Sequence, residues 1–355
     1  MSFLFMKERH PPLTLLTLDV CISRLKEGHP LLGTLRSNAA KYQRGYNGER
    51  KLDHHLKSLD RTFNILSDVT LSVFGRQFQI DSLIVTAHAI YIIEVKNLRG
   101  TVTFHTGLKQ LIQDDGEILI GRKHPIVQVE NITFLFSRWL QLNKLDGLPI
   151  YYYVAIADPA TIVQVNGDEQ SIAKTVSYAE EIPIKLVKMN ARFEQAKPAN
   201  HPLQNKIIQT VLEKSEELQI DILEKLSVNK HDILPGVHCP ECGKLGMLRR
   251  RYIWYYPQCH AKSRTAHKKA LLDFALIYKK EITNSECQQF LKVGNKTAYS
   301  ILKNVEGVSV HASKKKWLLD IDILRKHISG YLKNRAATLT RVGYKYDRLR
   351  VADSS

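Results

Sequence analysis

The stretch Gln79-Ile80-Asp81-Ser82-Leu83-Ile84-Val85-Thr86, then Ala87-His88, then Ala89-Ile90-Tyr91-Ile92-Ile93-Glu94-Val95-Lys96-Asn97 decides how this chain folds. Both runs are apolar at odd and even positions alike, which suits strands in the middle of a sheet covered on both faces. Asp81, Glu94 and Lys96 interrupt that apolar text, and charges rarely sit in such strands without a partner or a task. Side chains alternate along a strand, so Glu94 and Lys96 share a face. If Ala87-His88 is a two-residue loop, Thr86 pairs with Ala89 and Asp81 with Glu94. Directly opposed Cβ atoms lie about 4.5–5.5 Å apart, and two carboxylates that close repel unless a cation lies between them. Mg²⁺ suits the place, because it takes one or two carboxylates and fills its other positions with water and phosphate oxygens. Lys96, on the same face, would orient a water or stabilise charge on a phosphate. Ala-His lacks the usual turn chemistry of a two-residue hairpin. A three-residue loop would turn Asp81 to the opposite face and leave Glu94 and Lys96 as an ordinary ion pair.

Outward from this hairpin, leucines at 52, 56 and 59 predict a helix over residues 46–59. Strands are expected at 63–69, 101–104 and 117–120. His124-Pro125 opens a helix reaching Leu142, since proline is welcome at the first helical position. The apolar, β-rich run 150–157 reads as a buried strand. The expected fold class is α/β: a mixed sheet flanked by helices. The chain divides into a lead-in (1–40), this α/β domain (41–198), a helical connector (199–235), a cysteine-bearing segment (236–267) and a mainly helical basic domain (268–355).

Four segments carry a resemblance to a known family: Gly45-Tyr46-Asn47-Gly48-Glu49, Gln79-Ile80-Asp81, Ile93-Glu94-Val95-Lys96-Asn97 with Gly100, and His124-Pro125-Ile126-Val127-Gln128. Their order resembles the nuclease-related domain family, NERD, within the PD-(D/E)XK superfamily, whose fold is restriction-endonuclease-like. The resemblance implies phosphodiester hydrolysis dependent on Mg²⁺ or Mn²⁺. It implies that Asp81 and Glu94 bind the metal and that Lys96 positions the attacking water or stabilises the transition state. Glu49 becomes an accessory acid, and Gln128 supports the lysine or contacts substrate. Family members often carry Asn where this chain has His124, which leaves the role of that position open.

Charge is distributed unevenly. Residues 1–235 hold 28 basic and 26 acidic side chains, while residues 236–355 hold 24 and 9, so nearly all of the net +17 lies in the last third. That concentration points to a polyanion, with nucleic acid ahead of an anionic membrane, and DNA is the expected partner. No segment reads as a membrane span or secretory signal. Five cysteines, three of them within 21 residues, suit a reducing cytoplasm and a metal knuckle better than a disulfide scaffold.

Cys239-Pro240-Glu241-Cys242-Gly243-Lys244 is half of a zinc-ribbon-like knuckle. Cys259 would belong to the other half, where Tyr256 stands in place of the fourth thiol. His267 is preferred as the fourth Zn²⁺ ligand, with His260 and His238 as alternatives. The competing reading is a knuckle without metal, held by Trp254 and Tyr255. Further on, residues 284–292 and 295–304 read as a helix-turn-helix, with Asn284 as cap. Two strands with Lys314-Lys315-Lys316 at their tip would form the wing of a winged-helix-like domain. Lys292, Lys296, Tyr299 and Lys303 are candidate DNA contacts, joined by Arg249, Arg250, Arg251 and the lysines of the wing. No side chain is tied to a base, so the expected binding is salt-sensitive and indifferent to sequence. Two other readings compete: a nucleic-acid-binding scaffold with an inactive nuclease-like domain, and a zinc-dependent transcription regulator. The second leaves the acidic hairpin unexplained.

Overall fold

The computed structural model describes residues 4–217, 221–311 and 315–326. In chain order the first elements are β1 (Phe5–Lys7), α1 (Leu13–Arg24), α2 (Leu32–Leu56), β2 (Asn64–Val73), β3 (Arg76–Val85), β4 (Ile90–Lys96), β5 (Thr101–His105), β6 (Gln110–Asp114), β7 (Leu119–Arg122) and α3 (Pro125–Leu142). They continue with β8 (Ile150–Ile156), β9 (Ile162–Asn166), α4 (Glu169–Thr175), β10 (Val176–Tyr178), α5 (Ile182–Ala196) and α6 (His201–Lys214). The chain forms two compact units, one of residues 1–13 and 40–219, the other of residues 14–39 and 220–355. The segment read as a lead-in is thus divided: β1 belongs to the first unit and α1 to the second.

The first unit is built on a six-stranded mixed sheet in the order β1-β2-β3-β4-β8-β10. β3 and β4 lie centrally, as their two-faced apolar sequence requires. On one face Leu66, Leu83, Ile92 and Val154 pack with Val129 and Phe136 of α3 and Ile207 of α6. On the other, Ile65, Ile84, Tyr91 and Ala155 pack with Leu52 and Leu56 of α2 and Ile182 and Leu186 of α5. Alternate residues of each strand therefore feed two separate cores. A second sheet, β7-β6-β5-β9, carries the short strands that follow β4. The β6 strand is one that sequence patterning missed.

Two glycines permit close approaches. A Cβ on Gly48, within α2, would lie 2.5 Å from the Cβ of Asn97, just past β4. Gly48 thus lets the helix lie against the end of β4, where Asn97 donates to the Arg44 carbonyl. Gly100 has φ +74°, and a Cβ there would lie 2.1 Å from the Asp114 carbonyl oxygen.

The second unit adds α7 (Ile222–Lys225), β11 (Leu248–Arg250), β12 (Ile253–Tyr255), β13 (Lys262–Ser263), α8 (Ala266–Ile277), β14 (Glu281–Ile282), α9 (Asn284–Leu291), α10 (Asn295–Asn304), β15 (Val308–Val310), β16 (Trp317–Leu319) and α11 (Ile321–Lys326). Strands β11, β12 and β13 form one small antiparallel sheet; β14, β16 and β15 form another. Thr283, not Asn284, caps α9, through a capping box with Glu286. Arg24 of α1 is fully buried and donates to the Asp273 carboxylate and to the carbonyls of Leu234 and Gly236. Among the described residues, no helix is long and apolar enough to cross a membrane.

Candidate active site

The register of the central hairpin follows the two-residue loop. Val85 lies opposite Ile90 and Ser82 opposite Ile93, and the Thr86 amide donates to the Ala89 carbonyl at 2.9 Å. Continued by one residue, that register sets Asp81 opposite Glu94. The ladder stops at Ser82, and in its place the Asp81 side chain accepts the Val95 amide through Oδ2 at 2.8 Å. On the other side, Ser67 pairs with Ser82 and Val69 with Ile80, which sets Asp68 opposite Asp81. Asp68 interrupts that ladder with φ 52°, a left-handed conformation that Asp tolerates better than most residues. Three acids from three adjacent strands, Asp68, Asp81 and Glu94, therefore stand in one row.

Glu94 is 3% exposed. Its Oε1 accepts from Lys96 Nζ at 2.6 Å, and the same ammonium donates to Gln128 Oε1 at 2.9 Å. Gln128 occupies the first turn of α3, which His124 opens with Pro125 at its first positions. Helix and strand thus converge on one lysine. His124 is buried against the Phe104 ring, and neither ring nitrogen has a partner.

Glu49 reaches the row from α2. Its partner is a residue that the sequence reading did not single out: Arg9, just beyond β1. The Arg9 guanidinium is 1% exposed and bonds Glu49 Oε2 at 2.9 Å, Asp68 Oδ1 at 2.6 Å and Asp53 Oδ2 at 2.8 Å. It also donates to the Asp81 carbonyl at 2.7 Å and to Ser82 Oγ at 3.0 Å. No local signal marks Arg9, because these partners lie 40 to 73 residues away in sequence.

The electrostatics show an acidic surplus. Glu49, Asp53, Asp68, Asp81 and Glu94 face three cations: Arg9, Lys96, and Lys7, which donates to the Asp68 carbonyl. Burial first, and the charge of Asp81 second, push Glu49 and Glu94 well above the ordinary carboxylate range. Burial raises Asp68 to about 6, against the opposing pull of Arg9. Glu49, Asp81 and Glu94 each commit one carboxylate oxygen to the bonds above. A divalent cation needs oxygen donors in negative surplus, and this donor set fits one. The three do not close into a group with every ligand oxygen within 4.8 Å; among the described residues only Cys239, Cys242 and Cys259 form such a set.

In that thiol set, Cys259 Sγ lies 3.6 Å from both Cys239 Sγ and Cys242 Sγ. All three cysteines are free, and the set can hold a metal ion. None of the three candidate histidines belongs to it. His267 is buried and accepts the Trp254 indole N–H through Nδ1 at 3.0 Å, His260 meets the Tyr255 hydroxyl, and His238 meets the Ser23 carbonyl. Tyr256, in the fourth cysteine's place, donates to Gln258.

The basic candidates divide by environment. Arg250, Arg251, Lys292, Lys296, Lys303 and Lys315 are exposed. Lys296, Tyr299 and Lys303 occupy the exposed face of α10, whose Ala298, Ile301 and Leu302 are buried. Arg249 instead lies over the Trp254 ring, and Lys316 is bound to Glu281 at 2.6 Å. Lys314 lies outside the described residues.

Residues 44–157 match the family model of the nuclease-related domain, NERD. No curated protein matches the chain. A crystal structure of protein VC1899 from Vibrio cholerae is similar at 14% identity with a TM-score of 0.24, over 51% of this chain and 51% of that one. The likeness thus spans about half the length of that protein.

Proposed function

From a nuclease-related domain at residues 44–157, we propose that the protein is a metal-dependent nuclease that hydrolyses DNA phosphodiester bonds, with the basic second unit binding the nucleic acid. The observation that carries this reading is the row of acids ending in Glu94, with Lys96 held between Glu94 and Gln128. In this reading Asp81 and Glu94 would hold Mg²⁺ or Mn²⁺, which when bound would offset phosphate charge and lower the pKa of a coordinated water. Lys96 presents its ammonium to the attacking water or to the charge that grows on the phosphate. Gln128 fixes the direction of that ammonium. Glu49, with one oxygen on Arg9, serves as an accessory acid beside the row.

Substrate retention falls to the second unit, where Arg250, Arg251, Lys292, Lys296, Lys303 and Lys315 are exposed. Tyr252, 80% exposed next to Arg251, offers a ring for stacking. The α9–α10 pair followed by the β15–β16 hairpin serves as the winged-helix-like element. Zn²⁺ on Cys239, Cys242 and Cys259 would be structural. Since His267 is engaged by Trp254, we assign the fourth position to water or to a rearranged side chain. Free thiols accord with the reducing cytoplasm expected from the sequence.

Plasmid and linear DNA incubated with Mg²⁺, Mn²⁺ or chelator test the proposal, beside Asp81→Ala and Lys96→Ala. Cleavage is expected only from wild type and only with metal. Wild type that cuts no better than either variant leaves a nucleic-acid-binding scaffold as the function.

A further inference from the structure

Arg9 lies outside the segment that matches the nuclease-related family, yet it touches more of the acidic row than any other described side chain. A guanidinium has five N–H donors in a rigid fork. Here Nη1 serves Glu49 and Asp68, Nε and Nη2 grip the two oxygens of Asp53, and Nη2 reaches the Asp81 carbonyl and Ser82 Oγ. Its ligands come from α2, β2 and β3, so one side chain ties together the three elements that surround the Asp81 end of the row. A fully buried cation among these groups offsets Glu49, Asp53 and Asp68, the outer acids. It does not touch the carboxylates of Asp81 or Glu94, which keep the Val95 amide and the Lys96 ammonium respectively and have one oxygen each outside those bonds.

We propose that Arg9 is a positioning residue of the acidic site: its fork occupies the outer acids and fixes the Asp81 main chain and the Glu49 carboxylate, so that Asp81 and Glu94 are left to take a single divalent cation. The inference rests on the metal-dependent reading above. A lysine at this position keeps the charge but gives up the fork, so a comparison of the two separates geometry from electrostatics. Arg9 is buried and has no access to a bound polymer, so its loss acts on turnover and not on substrate capture.

The test is Mn²⁺ binding by calorimetry to the full chain, without DNA, for wild type, Arg9→Lys and Asp81→Asn, beside thermal melts and steady-state cleavage. Wild type is expected to bind one Mn²⁺ that Asp81→Asn loses. Arg9→Lys should weaken that binding at least tenfold and lower kcat by a similar factor, with the KM for DNA within twofold of wild type. A merely structural role would reduce the folded fraction and leave the Mn²⁺ affinity of the folded protein unchanged. Should Arg9→Lys melt too low to measure, Asp53→Asn loosens one edge of the fork and should weaken Mn²⁺ binding about threefold. Mn²⁺ affinity within twofold of wild type in the measured variant overturns the role of Arg9 while leaving the nuclease reading intact. Wild type that binds no Mn²⁺ lost in Asp81→Asn overturns both.

Discussion

Each unit buries a charged cluster, and the two clusters are opposite in balance. In the second unit Asp273 is buried and receives Arg24 at 2.7 Å and Lys269 at 3.0 Å, with neutral His238 beside it. Burial alone would raise that carboxyl, but Lys269 and Arg24 overcome it and hold Asp273 at about 2. In the first unit five acids face Lys7, Arg9 and Lys96, and burial with mutual repulsion drives Glu49, Asp68 and Glu94 upward. A cluster with cations in excess satisfies its carboxylate and serves to hold chain segments together. A cluster with acids in excess is incomplete within the protein, and an incomplete cluster is where a ligand adds most. The comparison separates a structural ion network from a candidate site without reference to any family.

The largest expected effect breaks the balanced cluster. Asp273→Ala would leave Arg24 buried without its carboxylate, and removing one partner of such a pair costs about 3–5 kcal/mol. Urea denaturation of the full chain measures it; a loss under 1 kcal/mol would put the second cluster in the same class as a surface ion pair. In the first unit, Lys96→Met removes the ammonium that Gln128 aims. Loss of one transition-state donor costs about 10²–10³ in kcat. Gln128→Ala should show part of that loss, because it frees the direction of Lys96 without removing its charge. Equal activity of wild type and Lys96→Met would reduce Glu94 and Lys96 to an ion pair.

A smaller effect follows pH. Burial holds His267 neutral and lowers it to about 4, and its Nδ1 accepts from Trp254. A depressed histidine contributes stability that is complete above its unfolded value, about 6.5, and is lost as pH falls toward the folded value. Wild type should therefore lose stability between about pH 6.5 and 4 more steeply than His267→Gln, in melts across that range. Parallel curves would mean that the imidazole is charged in the folded protein.

Legibility from sequence followed the range of the interaction. The hairpin register, the helix opened by His124-Pro125 and the row of Asp81, Glu94 and Lys96 rest on alternation and on residues close in the chain, so they could be read directly. Asp68 escaped notice because one acid in a strand of mixed polarity has no signal of its own; its place opposite Asp81 depends on the β2–β3 register. Arg9 escaped for the stronger reason that all its partners are remote. The start of α2 at Leu32 was missed because a polar run without a regular apolar stripe precedes Leu52. At the thiols, spacing indicated the three cysteines that come together, but the spacing of His267 carried no information about the indole that engages it.

The central claim is that the acidic row is in surplus and is completed by a cation. Thermal melts of wild type and Asp81→Asn, with and without added Mn²⁺, test it most directly. Asparagine keeps the oxygen that accepts the Val95 amide and removes the charge that repels Glu49 and Glu94. Without divalent cations Asp81→Asn should melt higher than wild type. Added Mn²⁺ should raise wild type alone, by about 2.7 kcal/mol at a hundredfold excess over Kd, and reverse the order. A variant that melts below wild type without metal, or that gains as much from Mn²⁺ as wild type does, would contradict the account.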